Sequence, residues 1–413
     1  MDPARAAELE AADPLPTLRH EFRIPPWPGG SAPEWAYLAG NSLGLQPRSA
    51  RTEIEAELEE WARLGVEGWF EAREPWLEYA GSLRASIGRL VGASPDEVAA
   101  MNTLTVNLHL LLATFYRPTT KRVRLLIEDT AFPSDLYALQ SQAAWHGLDP
   151  ADAVVRAPLD GIADAIETAG DSLALALLPA VNYLDGRVLD VAALTGSVHA
   201  VGAVAGWDLA HAIGNVPVSL HDADADFAVW CHYKYVNAGP GGPGGAFVHE
   251  RHGTRIDLPR LAGWWGNDPA VRFRMEPHFE PRPGAEGWGV STPPVLAFAP
   301  LRASLEQFDR VRLTALRGRS LRLTGYLEEL LDAVAASRRM SVITPREPAA
   351  RGCQLSVACE GARALASRLR VEHGVVCDFR EPDVLRFAPV PLYNGYEDCR
   401  RAAVALLDVL ESR

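Results

Sequence analysis

The segment AVWCHYKYVNAGPGGPGGAFVHE, residues 228–250, decides the fold, because it places a lysine between an apolar strand and a glycine-rich loop that leads into a second apolar strand. Lys234 is one of only two lysines, the other being Lys121, whereas the chain has 38 arginines. Arginine replaces lysine in most charge roles but cannot form a Schiff base. The segment therefore favours Lys234 as a reactive amine, with an ordinary surface lysine before a glycine turn as an equal alternative.

Apolar runs alternate with amphipathic stretches from about residue 98 to residue 250. The runs VRLLI, LALALL, AVAGWD, DFAVW and GGAFVHE, at 123–127, 173–178, 203–208, 226–230 and 244–250, predict buried strands. Helical patterns such as SDLYALQSQAAWHG lie between most of them. This alternation predicts an α/β fold with a mainly parallel sheet covered by helices on both faces, and ligands bind beyond the carboxyl ends of such strands.

The patterning divides the chain into three parts. Residues 1–48 are rich in proline and glycine and predict an ordered arm, not a helix, that docks on the small domain and the active site. Residues 49–295 form the predicted large domain, which starts with helices at 49–64 and about 76–91. Residues 296–413 begin with a strongly helical stretch, continue as strand, helix, strand and helix, and form the predicted small α+β domain.

The composition limits the kinds of molecule that this protein is expected to bind. The net charge of −13 argues against nucleic acid and anionic membranes, and no apolar run reaches the roughly 20 residues of a membrane span. We expect a cytoplasmic protein with a small-molecule substrate and copies of itself as partners. The five cysteines contain no CxxC pair, HDADAD (221–226) lacks the glycine and closing glutamate of a calcium loop, and VHERH lacks the HExxH spacing. We therefore expect no bound metal.

Polar residues follow several of the predicted strands. Asp208, in WDLAH, would pair with a protonated pyridine nitrogen in a pyridoxal-phosphate (PLP) site, although an isolated aspartate there is more often a helix cap. The helix start at Asn102, Thr103 and Thr105 would bind phosphate through its free amides, with simple capping about equally plausible. In AFPSDLYALQ, Phe132 is a candidate to stack on a ring and Asp135 lies at a helix start.

Seven segments in order along the chain resemble the kynureninases, which are fold-type I PLP hydrolases. The segments are YLAGNSLGLQP, LTVNLHLLL, AFPSDLYALQSQ, GWDLAHAIGNV, CHYKYVNAGPGG, LAGWWG and LRFAPVPLYN, and they span nearly the whole chain. The resemblance implies a large domain with a seven-stranded sheet, PLP as cofactor, and a homodimer whose active sites are shared between subunits.

The resemblance also implies a role for each matching residue. Lys234 would carry the cofactor aldehyde and Asp208 would pair with its ring nitrogen. The remaining cofactor contacts would be Leu104, Thr105, Phe132, Asp135, His211 and Tyr233, with Trp264 and Thr292 reaching the phosphate from the neighbouring subunit. Arg386 would bind the substrate α-carboxylate, and Asn41, Trp69 and Ser291 would lie near the substrate. Two positions depart from the family pattern: His232 replaces a small residue, and Pro179 replaces a polar one.

The implied reaction is hydrolytic Cβ–Cγ cleavage of L-kynurenine, or of 3-hydroxykynurenine, to anthranilate and L-alanine in tryptophan degradation. Lys234 would remove the Cα proton, with Tyr233 as a proton carrier or as a phosphate anchor. Two alternatives remain open at this point. A cysteine desulfurase-like enzyme would need a nucleophilic cysteine in a mobile loop, and a PLP-binding regulator would be expected to carry a DNA-binding module or to lack Arg386.

Overall fold

The structure is a computed structural model that describes residues 1–28, 32–336 and 340–412. The strands, in chain order, are β1 Phe22–Arg23, β2 Ala36–Tyr37, β3 Gln46–Pro47, β4 Val98–Ala100, β5 Arg124–Glu128, β6 Val154–Ala157, β7 Leu173–Pro179, β8 Val204–Asp208, β9 Phe227–Cys231, β10 Gly244–Val248, β11 Ser341–Val342, β12 Leu355–Ala358, β13 Val375–Val376, β14 Asp378–Arg380 and β15 Val384–Phe387. The helices are α1 Pro3–Ala12, α2 Ser49–Leu64, α3 Gly68–Glu71, α4 Tyr79–Ser82, α5 Arg84–Val91, α6 Leu104–Phe115, α7 Pro133–Trp145, α8 Pro150–Ala153, α9 Ile162–Ala169, α10 Val191–Ala200, α11 Glu250–Gly253, α12 Pro269–Arg272, α13 Val295–Val311, α14 Leu313–Ala335, α15 Ala362–His373 and α16 Tyr396–Glu411.

The large sheet has seven strands in the order β4-β10-β9-β8-β7-β5-β6. Strand β10 runs antiparallel to both of its neighbours, and every other pair in this sheet is parallel. Strands β7, β9 and β10 are buried along their whole length, as expected for a sheet covered on both faces. The predicted α/β class with a mainly parallel large sheet is thus confirmed, and all five quoted strands lie within two residues of their predicted bounds.

The small sheet has four antiparallel strands in the order β11-β12-β15-β14, and α14, α15 and α16 pack around it. Its apolar core includes Leu323 to Val334 of α14, whereas Phe298 to Phe308 of α13 and Leu316 of α14 belong to the core of the large sheet. Helix α13 packs chiefly against α2. The boundary between the two apolar cores therefore lies within α14. The sequence patterning places the start of the small domain earlier, at residue 296.

Two local predictions were wrong. The N-terminal segment contains a helix, α1, which is capped by the Asp2 carboxylate, has proline at its first position and packs on α16. The acidic cap and the run of alanines favour a helix over residues 3–12, and they outweigh the proline-rich sequence that follows. The predicted helix at 76–91 is interrupted and consists of α4 and α5.

None of the helices within the described ranges combines the length with the apolar run that a membrane crossing requires.

Candidate active site

A cleft of about 200 Å³ opens at the carboxyl ends of β5, β7, β8 and β9, between the large sheet and the small domain. This is the edge at which ligands bind in open parallel sheets. Ten of the residues singled out from the sequence line the cleft: Asn41, Leu104, Thr105, Phe132, Asp135, Asp208, His211, Tyr233, Lys234 and Arg386.

Lys234 lies in the loop after β9, and its Nζ is 2.8 Å from Nε2 of His211. Burial lowers the pKa of His211 well below its usual range, and the charge of Lys234 lowers it further. The imidazole is therefore neutral at pH 7, and its Nε2 accepts a hydrogen bond from the amine. This hydrogen bond directs the lysine amine into the cleft.

The loop that carries Lys234 is pressed against the N-terminal segment. The backbone N–H of Gly44 donates to the carbonyl of Tyr233 over 2.9 Å, and a Cβ at position 44 would collide with the carbonyl oxygen of Lys234 and with Asn237. Only glycine permits so close an approach of two backbones. The glycine of the NSLG turn at 41–44 therefore sets the position of the lysine loop.

Three carboxyl groups lie together in the cleft. Asp135 and Asp208 share a hydrogen bond, and burial raises the pKa of both, that of Asp135 well above its usual range. The charge of Lys234 opposes the rise at both groups, whereas the hydrogen bond between them raises the pKa of Asp135 and lowers that of Asp208, so Asp135 is the donor and Asp208 the acceptor of this bond. Burial also raises the pKa of Glu128, at the end of β5, to about 8. Such a cluster is suited to a cationic or protonated ring beside Asp208.

The opposite wall of the cleft is made by the starts of α6 and α7. Thr103 precedes α6 in an extended conformation, and the Oγ1 of Thr105 lies 2.8 Å from the Oγ of Ser134 on α7. The free amides of a helix start and paired hydroxyls are donors for phosphate. Phe132 packs edge-on against Tyr183, with ring centroids 5.4 Å apart, and is 46% exposed, so one ring face is open for stacking.

Arg386, on β15, enters the cleft from the small domain and is almost fully buried. Asp378 binds its Nε and Nη2 over 2.8 and 2.7 Å, and its Nη1 donates to the carbonyl of Tyr183 over 2.5 Å. The hydroxyl of Ser42 donates to Asp378, and Arg380 lines the cleft beside them. Asp378 takes the two-point edge of the guanidinium, so a carboxylate ligand would be bound by its positive charge and by the second N–H of Nη1.

Six of the singled-out residues lie outside this cleft. Trp69, Trp264 and Thr292 line a separate apolar hollow with Phe70 and Phe273, and Ser291 is exposed beside it. Asn102 and Thr103 also do not line the cleft; they form the turn before α6, where Asn102 has φ +45° and its side-chain amide donates to Asn107.

The sequence predictions missed several cleft residues. Glu128 ends the apolar run VRLLIE, Ser42 lies in the quoted turn YLAGNSLGLQP, and Ser134 lies in the quoted AFPSDLYALQ. Tyr183 and Arg380 come from loops and a short strand without a strong pattern. The position of Glu128 at a strand end was the one signal that would have found it. Pro179 does line the cleft, at the end of β7 beside Asp208.

Two buried thiols and one histidine cluster are the other groups of interest among the described residues. Burial raises the pKa of Cys231 and raises that of Cys353 to about 12, so both remain protonated and unreactive. Among the described residues, one group has metal-ligand spacing, namely Glu97, His221 and His249. The Glu97 carboxylate already accepts from two backbone N–H groups and lies 2.9 Å from Nδ1 of His221, at the edge of the large sheet opposite the cleft.

Comparison with known proteins agrees with this geometry. The family model for the kynureninase C-terminal domain matches residues 316–406. A kynureninase of Salinispora tropica is 57% identical over 98% of this chain and 97% of its own, and one of Koribacter versatilis is 52% identical over 96% and 95%. Among solved structures, a mutant of the cystine C-S lyase C-DES with glycine covalently linked to its PLP cofactor has a TM-score of 0.78 at 19% identity, covering 94% of this chain and 99% of its own. The cysteine desulfurase CsdA from Escherichia coli has a TM-score of 0.76 at 17% identity, covering 95% and 98%.

The fold, with its cleft at the carboxyl ends of the parallel strands and its lysine after β9, is that of the fold-type I PLP enzymes. Within that class, sequence identities above 50% to two kynureninases, along nearly the whole chain, decide the family. The chain belongs to the kynureninase family, as the seven sequence segments predict.

Proposed function

We propose that this protein binds PLP and hydrolyses L-kynurenine to anthranilate and L-alanine. The observation that carries the proposal is the convergence of Lys234, Asp208 and Arg386 on one cleft in a chain 57% identical to a kynureninase. These three groups are an amine for an aldehyde, a carboxylate for a ring nitrogen and a guanidinium for a carboxylate. The same convergence argues against a regulator without turnover, which would not require Arg386.

The residues present fit PLP. Asp208, with Asp135 behind it, forms a buried acidic pair that suits a protonated ring nitrogen as a further partner. The starts of α6 and α7, with Leu104, Thr105 and Ser134, would hold the phosphate, and the open face of Phe132 would stack on the ring. When bound, PLP supplies an aldehyde that condenses with amines and a ring that withdraws electrons from the bonds that break.

Each side chain of the cleft then has a defined task in the reaction. Arg386 binds the α-carboxylate, and because Asp378 fixes the guanidinium, the substrate enters in one orientation. The amine of Lys234, held by neutral His211, removes the Cα proton and later returns a proton to the product. Burial raises the pKa of the Tyr233 hydroxyl, so this group stays protonated and is a proton donor near that amine.

The assembly is proposed to be a homodimer that shares its active sites. Trp264 and Thr292 line an apolar hollow outside their own cleft, and Trp264 is 40% exposed, which suits a contribution to the cleft of a second copy. Trp69 and Ser291, which lie in or beside this hollow, would approach the aromatic ring of the substrate in the same way. Asn41 would contact the substrate from within the cleft. We assign the protein to the cytoplasm and to tryptophan degradation, without nucleic-acid or membrane partners.

Anthranilate fluorescence tests the proposal directly. The purified protein, supplied with PLP and L-kynurenine, should release anthranilate, and Lys234→Ala should abolish turnover. Lys121→Ala is the matched control, because it removes the other lysine of the chain and should leave the rate unchanged. A chromophore fixed by borohydride in the parent protein but not in Lys234→Ala would support the cofactor assignment. Turnover that survives in Lys234→Ala, or a parent protein without anthranilate release, would contradict the proposal.

A further inference from the structure

His232, which stands where the family pattern has a small residue, is fully buried beside the lysine loop. Its Nε2 lies 2.8 Å from Nε1 of Trp230, and its Nδ1 lies 2.8 Å from the carbonyl oxygen of Pro243. Trp230 can only donate and a carbonyl can only accept, so the ring carries its proton on Nδ1. Burial lowers the pKa of His232 to about 4, which agrees with this neutral form. Both ring nitrogens therefore have a partner.

The carbonyl that His232 binds belongs to the segment that abuts the start of α6. Gly244 follows Pro243, its N–H donates to the carbonyl of Asn102 over 2.8 Å, and its carbonyl accepts from Met101 over 3.1 Å. A Cβ on Gly244 would stand 2.9 Å from the backbone nitrogen of Leu104. Gly244 and Asn102 thus connect the Pro243 carbonyl, which His232 binds, to the helix start that forms one wall of the cleft.

The backbone of His232 closes the lysine loop. Its carbonyl accepts from the N–H of Ala238 over 3.1 Å, and inside that loop the carbonyl of Lys234 accepts from Asn237 over 3.0 Å. Asn237 has φ +53°, so this turn depends on its hydrogen bonds to hold a left-handed residue. The backbone carbonyl of His232 is therefore bonded to Ala238 in the lysine loop. Its ring is bonded to Pro243, the residue before the strand start that touches α6.

We propose that His232 is a positioning residue that fixes the distance between the Lys234 amine and the phosphate-binding start of α6. The inference rests on the proposed function, since the two ends of PLP would occupy those two places. A small residue at 232 would leave the Trp230 N–H and the Pro243 carbonyl without these bonds. The lysine loop and the start of α6 would then be held relative to one another by backbone hydrogen bonds alone, without the side-chain bridge from Trp230 to Pro243.

The test compares His232→Ser, which restores the small family residue, with His232→Asn, whose amide retains a donor near the position of Nδ1. We expect His232→Ser to release PLP about tenfold faster than the parent holoenzyme, since one or two buried hydrogen bonds are lost. In the apoprotein, amide hydrogen exchange at Gly244 and Leu104 should also accelerate about tenfold. His232→Asn should recover most of the retention, and KM for L-kynurenine should change less than about twofold because Arg386 is untouched.

Trp230→Phe keeps the inference testable if His232→Ser does not fold. It removes the donor to Nε2 but leaves the bond to Pro243, so PLP release should be only slightly faster than in the parent. Release and exchange in His232→Ser equal to the parent would overturn the inference, as would equal defects in the serine and asparagine variants. A parent protein that binds no PLP would contradict the proposed function instead, and the apoprotein exchange would still decide the role of His232.

Discussion

Asp378 and Arg386 stand opposite one another on β14 and β15 and form a two-point ion pair, with Nε–Oδ1 at 2.8 Å and Nη2–Oδ2 at 2.7 Å. Both side chains are at least 92% buried, so water competes weakly with the pair. The aspartate occupies one side of the guanidinium, and a substrate carboxylate would approach the remaining donors. Under the proposed function, Asp378 would therefore determine the direction from which the substrate binds.

Substituting Asp378→Asn keeps the shape but removes the charge that orients Arg386. We expect KM for L-kynurenine to rise about tenfold, while kcat changes less, because the lost interaction orients the substrate and does not transfer protons. A buried arginine without its partner should also lower the free energy of unfolding by about 3 kcal/mol. Steady-state kinetics and urea unfolding measure both effects. Glu372→Gln, in an exposed pair with Arg368, is the control, and an unchanged KM in Asp378→Asn would refute the orienting role.

The buried carboxyl of Glu128 makes the apoprotein sensitive to pH. Its pKa is raised from 4.5 to about 8, so its contribution to stability is complete below pH 4.5 and is lost as pH rises through 8. Glu128→Gln should therefore leave the apoprotein unchanged near pH 4.5. Above pH 8 it should raise the free energy of unfolding by up to about 5 kcal/mol. Denaturant unfolding across this range tests the prediction, and a gain that does not vary with pH would contradict it.

Asp13 joins the N-terminal segment to two helices of the small domain. Its carboxylate accepts from Arg322 over 2.6 and 3.0 Å and from the hydroxyl of Tyr396 over 2.8 Å. Burial opposes these bonds, yet together they lower its pKa from 3.8 to about 2. The stabilisation is present above pH 3.8 and is lost as pH falls through 2.

Asp13→Asn should accordingly cost about 2 kcal/mol of unfolding free energy at pH 7, and roughly half of that at pH 3. Chemical denaturation at the two pH values measures the difference. Asp257→Asn, in an exposed pair with Arg255, serves as the matched control and should have little effect. Equal costs at pH 7 and pH 3 would show that the charge of Asp13 is not what stabilises the junction.

Phe273 tests the proposed sharing of active sites. Its ring is 54% exposed, packs edge-on against Trp264 at 5.4 Å and lies 6.2 Å from the exposed ring of Phe70. Phe273→Glu should dissociate the dimer and reduce turnover at least tenfold, because a charge cannot be buried there without a partner. Sedimentation velocity and anthranilate release are the measurements. Val371→Glu changes an equally exposed residue on α15 and should leave both unchanged. Fully active monomers of Phe273→Glu would exclude a shared site.

The part of the cleft at the ends of the apolar strands could be predicted from the sequence pattern, whereas residues such as Leu104 and Arg386 were implied only by the family resemblance. Lys234 and Asp208 follow such strands, and parallel strands bring their carboxyl ends to one edge. Asp378 escaped prediction because its role depends on pairing with a residue eight positions away across two short strands. Glu128 escaped because an acid after an apolar run also marks an ordinary strand end. The rings of the hollow around Trp264 stay exposed in a single chain. The pattern of one sequence therefore does not predict which surface packs against them.

The contact of Gly44 with the carbonyl side of the Lys234 loop, together with Arg386 on β15, has a consequence for biosynthesis. The chain emerges from the ribosome with its N-terminal turn first, yet that turn meets its partners only after the middle third has been made. The last strand of the small sheet, which carries Arg386, comes later still. Nascent chains therefore cannot complete the cleft before translation is nearly finished, and removal of either end would take Gly44 or Arg386 with it.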